Sequence, residues 1–239
     1  MFYFLIAPLL SYNFILIAAA VIPALFLIVK IYRLDVLEQE SPQILSRLVI
    51  AGIVSSLIAL VLERLFYVVL DAFITPGSRL YDIVLYFVVV ACVEEGSKYF
   101  MLKKTSWYSP EFNCQYDGVV YATAVSLGFA LWENISYVTH YGLSNAFVRA
   151  FTAIPGHASF GVFMGIFYSL AKRAELDGRN DAASTYKFMA LAVPIIMHGC
   201  YDYIASTSSD IYVFLIFVIA MFIVAYKSVI KVSRNDQYL

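Results

Sequence analysis

The sequence predicts an all-α polytopic bundle of about seven transmembrane helices, and three observations carry that expectation. Of 239 residues, 62% are hydrophobic and 14% charged, a composition outside the range of soluble domains. Apolar runs long enough to supply the ~20 residues that one span requires recur from end to end. Lysine and arginine collect in alternate connections, the asymmetry that orients membrane helices.

The runs place spans at 3–29, 47–70, 81–102, 117–139, 146–171, 187–206 and 211–230. The first carries no charge and no basic flank before it, and it is too long for a signal peptide. It is therefore expected to be retained, although "AAA" at 18–20 imitates a cleavage site. The second ends near Glu63 and Arg64, read as a pair or as side chains reaching for the headgroups. The fourth opens at Asp117, a residue suited to a helix N-terminus. Tyr81, Trp107, Tyr108, Tyr137 and Tyr141 fall near predicted ends, where amphipathic rings settle.

Connections after odd-numbered spans, with the C-terminal tail, hold Lys30, Arg33, Arg47, Lys103, Lys104, Lys172, Arg173, Arg179, Lys187, Lys227, Lys231 and Arg234; those after even-numbered spans hold only Arg79 and Arg149. Positive residues stay inside, so the N-terminus is expected outside and the C-terminus in the cytoplasm. The longest polar connection, "KRAELDGRNDAASTYK", is too short to fold alone, so residues 1–239 read as one membrane domain. The net charge of -1, without any basic stripe, gives no footing for nucleic acid. Cys92, Cys114 and Cys200 are isolated, with no metal or disulfide spacing.

Against this apolar background, polar groups stand out in four spans. "VEEGSKYF" puts Glu94 and Glu95 within one helical turn of Lys98, so the lysine reaches either carboxylate while the two glutamates diverge by ~100°. One glutamate is then free to face a cavity; the plain alternative is a buried structural ion pair. "GFALWENISY" sets Glu133 and Asn134 one turn after Phe129. In "RAFTAIPGHASFGVFMG", Pro155 and Gly156 are expected to interrupt the helix just before His157, and irregular backbone at membrane depth must line a cavity or be buried in protein. Gly161 and Gly165 add a GxxxG packing face. "PIIMHGCYDY" places His198 and Asp202 at i and i+4, with Pro194 loosening the turn before them.

Glu94, Glu95, Lys98, Glu133 and Asp202 would together cost roughly 12 to 18 kcal/mol if each sat unpartnered at the bilayer centre. Groups so expensive must converge on one another, on water or on a metal. Counting 1.5 Å per residue puts His157 and His198 near the midplane but Glu133 about 8 Å toward the outside, which loosens its tie to the cluster.

The four segments, EExxK at 94–98, FxxxEN at 129–134, the Pro-Gly-His at 155–157 and HGxxD at 198–202, together resemble the PrsW family of intramembrane proteases, over about residues 81–206. Residues 1–80 and 207–239 would then be flanking helices around this core. Related CAAX prenyl endopeptidases and Abi proteins carry EExxxR and FxxxH, where this chain has EExxK and Glu133; both departures favour PrsW. The resemblance implies a peptidase in a prokaryotic cell membrane that clips a membrane-anchored protein, such as a single-pass anti-sigma factor.

On that footing Glu94 is the expected base for an attacking water, with Glu95 the second choice and Lys98 holding the spare carboxylate. His157 and His198 are expected to stabilise the oxyanion, Asp202 to orient His198, and Glu133 with Asn134 to position water and substrate. Arg149 reads as a headgroup, substrate or carboxylate contact, and Asp117 as supporting. No cofactor is required by this scheme, yet a zinc ion on Glu95, His157 and His198 is an ordinary catalytic set and stays open. The competing class is an ion-coupled carrier, which uses the same kinds of intramembrane groups.

Overall fold

A computed structural model describes residues 2–239, with side chains from residue 14 onward. Its helices are α1 (Phe2–Tyr32), α2 (Pro42–Phe73), α3 (Arg79–Val84), a π-helical segment (Leu85–Cys92), α4 (Val93–Ser106), α5 (Asp117–Tyr141), α6 (Leu143–Phe151), α7 (Ala153–Leu176), α8 (Asn180–Thr207) and α9 (Ile211–Arg234). Because α3, the π segment and α4 run on without a gap, and α6 and α7 are parted only at Thr152, the spans read from sequence each find a helical body. Five bodies, Phe14–Tyr32, α2, Leu143–Leu176, α8 and α9, are long and apolar enough to cross a membrane by composition. The two that are not among them are those carrying Glu94, Glu95, Lys98 and Glu133.

The helix α5 is the axis of the bundle, with α1, α2, α4, α6 and α7 packed on it. Residues 116–130 are buried without interruption, as expected of a helix surrounded on every side. Small residues let its neighbours approach. A Cβ on Gly161 would stand 2.8 Å from Thr123 Cα, and one on Gly165 would stand 2.3 Å from the Gly118 carbonyl oxygen, so the GxxxG face is the α5–α7 contact. On a neighbouring face of α5, Gly52 of α2 meets the Val125 carbonyl and Gly128 meets that of Val49.

Two expectations need correction. The helix break lies at Thr152 (φ -121°, ψ -69°), not at Pro155–Gly156. Pro155 instead occupies the first turn of α7, where a missing N–H costs no intrahelical bond. The polar stretch "KRAELDGRNDAASTYK" is nearly all helix, because its Ala, Glu, Lys and Arg are strong helix formers. Only 177–179 connect α7 to α8, with Gly178 at φ +73° making the turn. Among the described residues the sole β feature is a bridge between Cys114 and Tyr238, which docks the tail beside the start of α5.

Candidate active site

Six helices, α2, α4, α5, α6, α7 and α8, deliver polar side chains to one place. The π segment directly precedes Glu94 and Glu95, and its wider turns set where α4 begins. Opposite it, a Cβ on Gly199 would lie 2.3 Å from the Phe87 ring. The glycine after His198 thus allows α8 close enough for that histidine to reach α4.

At the centre is the fully buried Lys98. Its Nζ lies 2.7 Å from Glu95 Oε1, 3.4 Å from Glu94 Oε2 and 3.1 Å from His157 Nδ1, and 4.0 Å from the centre of the Phe129 ring. An ammonium has no lone pair, so it donates to Nδ1 and leaves the His157 proton on Nε2. That N–H points to Glu133 Oε2 at 2.9 Å. Glu133 also accepts from Arg149 Nη2 at 2.9 Å. Arg149 lies over the Tyr137 ring and donates from Nε to Asn134 Oδ1 at 2.8 Å, while Asn134 Nδ2 donates to the Ala20 carbonyl of α1 at 2.9 Å.

The other arm runs through His198. Its Nδ1 is 2.9 Å from Glu95 Oε1; its Nε2 is 3.3 Å from Asp202 Oδ2 and 3.9 Å from Glu94 Oε2. With carboxylates at both nitrogens, the ring donates twice only as an imidazolium. Phe160 stacks on it at 4.8 Å between centroids.

A cavity of about 410 Å³ opens onto this network, lined by Glu63, Glu94, Glu133, His157, His198 and Asp202 among others. Glu94 faces it, whereas Glu95 is sealed behind, fully buried and held by Lys98 and His198. Five carboxylates (Glu63, Glu94, Glu95, Glu133, Asp202) meet two fixed cations (Lys98, Arg149), so the site carries an excess of negative charge that a proton, an imidazolium or a metal cation must offset. Glu94, Glu95 and His157 each offer a ligand atom within 4.8 Å of the others, a trio able to hold a metal ion.

Most of the residues read from sequence converge here: Glu94, Glu95, Lys98, Phe129, Glu133, His157, His198 and Asp202. The depth gap for Glu133 is closed by its direct contacts to His157 and Arg149. Asn134 does not face the cavity; it is fully buried, with both amide ends spent on Arg149 and Ala20. Asp117 stands apart, ~24 Å along α5 from Glu133 at 1.5 Å per residue, where Oδ2 accepts from the Asn113 and Cys114 N–H groups.

Glu63, expected to pair with Arg64 or to reach for the headgroups, instead lines the cavity together with Ser56, Ala59, Leu60 and Tyr67. Their i, i+3, i+4, i+7 spacing was the signal that an acidic residue shares this face.

The fold and this network define a polytopic helical membrane protein with an internal, ionisable polar site opening on a cavity. A family model described as PrsW family intramembrane metalloprotease matches residues 40–227, and the chain belongs to that family. It is 32% identical over 199 residues to the Protease PrsW of Bacillus subtilis (strain 168), covering 82% of this chain and 85% of that one. It is 30% identical to the Protease PrsW of Oceanobacillus iheyensis, over 92% and 97% of the two chains. The Protease PrsW of Clostridioides difficile (strain 630) is 34% identical over 122 residues, about half of each chain. No solved structure matches the chain. The protein is an intramembrane protease, and the ion-coupled carrier reading finds no support in these relatives.

Proposed function

We propose that the cavity hydrolyses a peptide bond of a membrane-anchored, single-pass protein, with Glu94 taking the proton from the attacking water. The observation that carries this reading is that Glu94 belongs to the buried Lys98 network and also lines the cavity. Glu95, the second choice, has no access to substrate. The water oxygen bonds to the scissile carbonyl carbon as its proton passes to Glu94; the C–N bond then breaks and Glu94 returns that proton to the leaving nitrogen. His198 is held through Nδ1 by Glu95, and its cavity-side Nε2–H, 3.3 Å from Asp202 Oδ2, passes from that carboxylate to the developing oxyanion.

His157 has no spare N–H for the oxyanion, since its one N–H is committed to Glu133. It is a positioning residue in this scheme, held by Glu133, which Arg149 holds in turn while Asn134 fixes Arg149.

The family description implies a metal, and the residues fit one. Glu95 Oε2 is a buried oxygen without a partner, and a carboxylate on the far nitrogen of His157 is the usual support of a ligating histidine. Glu94, Glu95 and His157 would hold the ion, with Lys98 withdrawing its ammonium and His198 one contact away. When bound, such an ion supplies Lewis-acid activation of water.

The test is cleavage of a panel of single-pass membrane peptides by purified protein in detergent, with metal content measured on the same sample. Cleavage of at least one peptide is expected. Ion flux in proteoliposomes with no cleavage would overturn the reading.

We also infer that residues 81–206, completed by the cavity face of α2, form the core of one domain in a bacterial cell membrane with the C-terminus in the cytoplasm. The antiparallel packing of α5 against α7 supports placing Gly142 and Asp177 at opposite ends of the bundle. Reporter fusions at the two positions should therefore read opposite sides of the membrane. Identical readings would reject the orientation.

A further inference from the structure

We propose a second cation site, for a hard divalent ion of the Ca2+ or Mg2+ class, where the 33–41 connection, the start of α5 and the C-terminal tail meet. Asp35, Glu40 and Asp117 each present a carboxylate oxygen within 4.8 Å of the other two, and all three side chains are buried. The cluster lies at the end of α5 remote from the polar cavity, so it is independent of the peptidase reading.

Acidic residues often gather without a ligand, but here four buried carboxylate oxygens are left without a partner. Asp35 is 3% exposed, and neither of its carboxylate oxygens has a hydrogen-bond partner. Asp117 is 1% exposed; its Oδ2 caps the backbone while Oδ1 has no partner. Glu40 Oε2 accepts from Tyr121 O–H at 2.7 Å. Asp236 accepts through Oδ1 from the Tyr116 N–H immediately before Asp117, and its buried Oδ2 is also unpartnered. Among the described residues, no lysine, arginine or histidine forms an ion pair with any of the four. Buried, unpaired carboxylates are too costly to stay charged and bare. Burial pushes Glu40 up to about 9 and Asp35 to about 6, with the charge of Asp117 adding to the first and that of Asp236 to the second.

The donors identify the ligand. All are oxygens, with no sulfur or imidazole among them, which suits hard cations over zinc or copper. The ion would fasten the first connection to α5, with the C-terminal tail alongside.

The experiment is thermal unfolding of the full-length protein in detergent after chelation, titrated with CaCl2 or with MgCl2 against NaCl of equal ionic strength at pH 7.5. A saturable rise in Tm of about 5–10 °C at a hundredfold excess over Kd is expected. The two salts rank the ions. Asp35→Asn should abolish the response, Asp117→Asn should weaken it, and Glu94→Gln should keep it, which separates this site from the cavity. No rise with either ion, or an equal rise in Asp35→Asn, overturns the proposal. Stabilisation by acid alone, with no cation response, would also overturn it, because shared protons would then neutralise the cluster. The wild-type titration decides even if the variants fail to fold.

Discussion

Exchanging Glu94 for glutamine is expected to lower peptide cleavage by about 10²–10⁴-fold, the range a positioned general base contributes, while leaving the protein folded. Glutamine keeps the size of the side chain and can still accept from Lys98 Nζ, now 3.4 Å away. The amide cannot take a proton from water. Glu95 does not substitute for it, because its Oε1 is engaged by Lys98 at 2.7 Å and His198 at 2.9 Å and the residue is sealed from the cavity. Metal analysis of the variant separates two roles. Retained metal with lost cleavage assigns Glu94 as the base, whereas metal and cleavage lost together would make it a ligand. Wild-type rates in a well-folded variant would remove Glu94 from the chemistry.

The helices and the cluster were legible because they obey separate rules of the same sequence. Apolar length gave the spans, and the expense of charge in the bilayer required Glu94, Glu95, Lys98, Glu133 and Asp202 to converge. What escaped depended on tertiary geometry. Glu63 looked like a headgroup residue because its position near a span end is a one-dimensional fact, and the cavity that it enters is closed by α4, α5, α7 and α8. Asp117 looked like an ordinary helix start because its neighbours Asp35, Glu40 and Asp236 come from distant segments. Pro155 looked like the break because proline usually ends helices, yet α7 starts at Ala153 and places it harmlessly in the first turn.

Lys98 carries the largest expected effect on stability. Lys98→Met removes the one ammonium that contacts Glu95, Glu94 and His157, and leaves Glu95 buried with the His198 ring as its remaining partner. Breaking a buried ion pair from one side costs roughly 3–5 kcal/mol, because a desolvated charge is left behind. A large drop in Tm is therefore expected in detergent. Removing both sides is different. In Lys98→Met with Glu95→Gln, the stranded charge is gone, and much of the loss should be recovered even though another native contact has been deleted. That recovery is the signature of a charge pair, since two independent packing defects would add. A single variant as stable as wild type would show that a proton or another cation replaces the ammonium at no cost. Lys98 would then be a tenant of the site, and the carboxylates and histidines alone would define it.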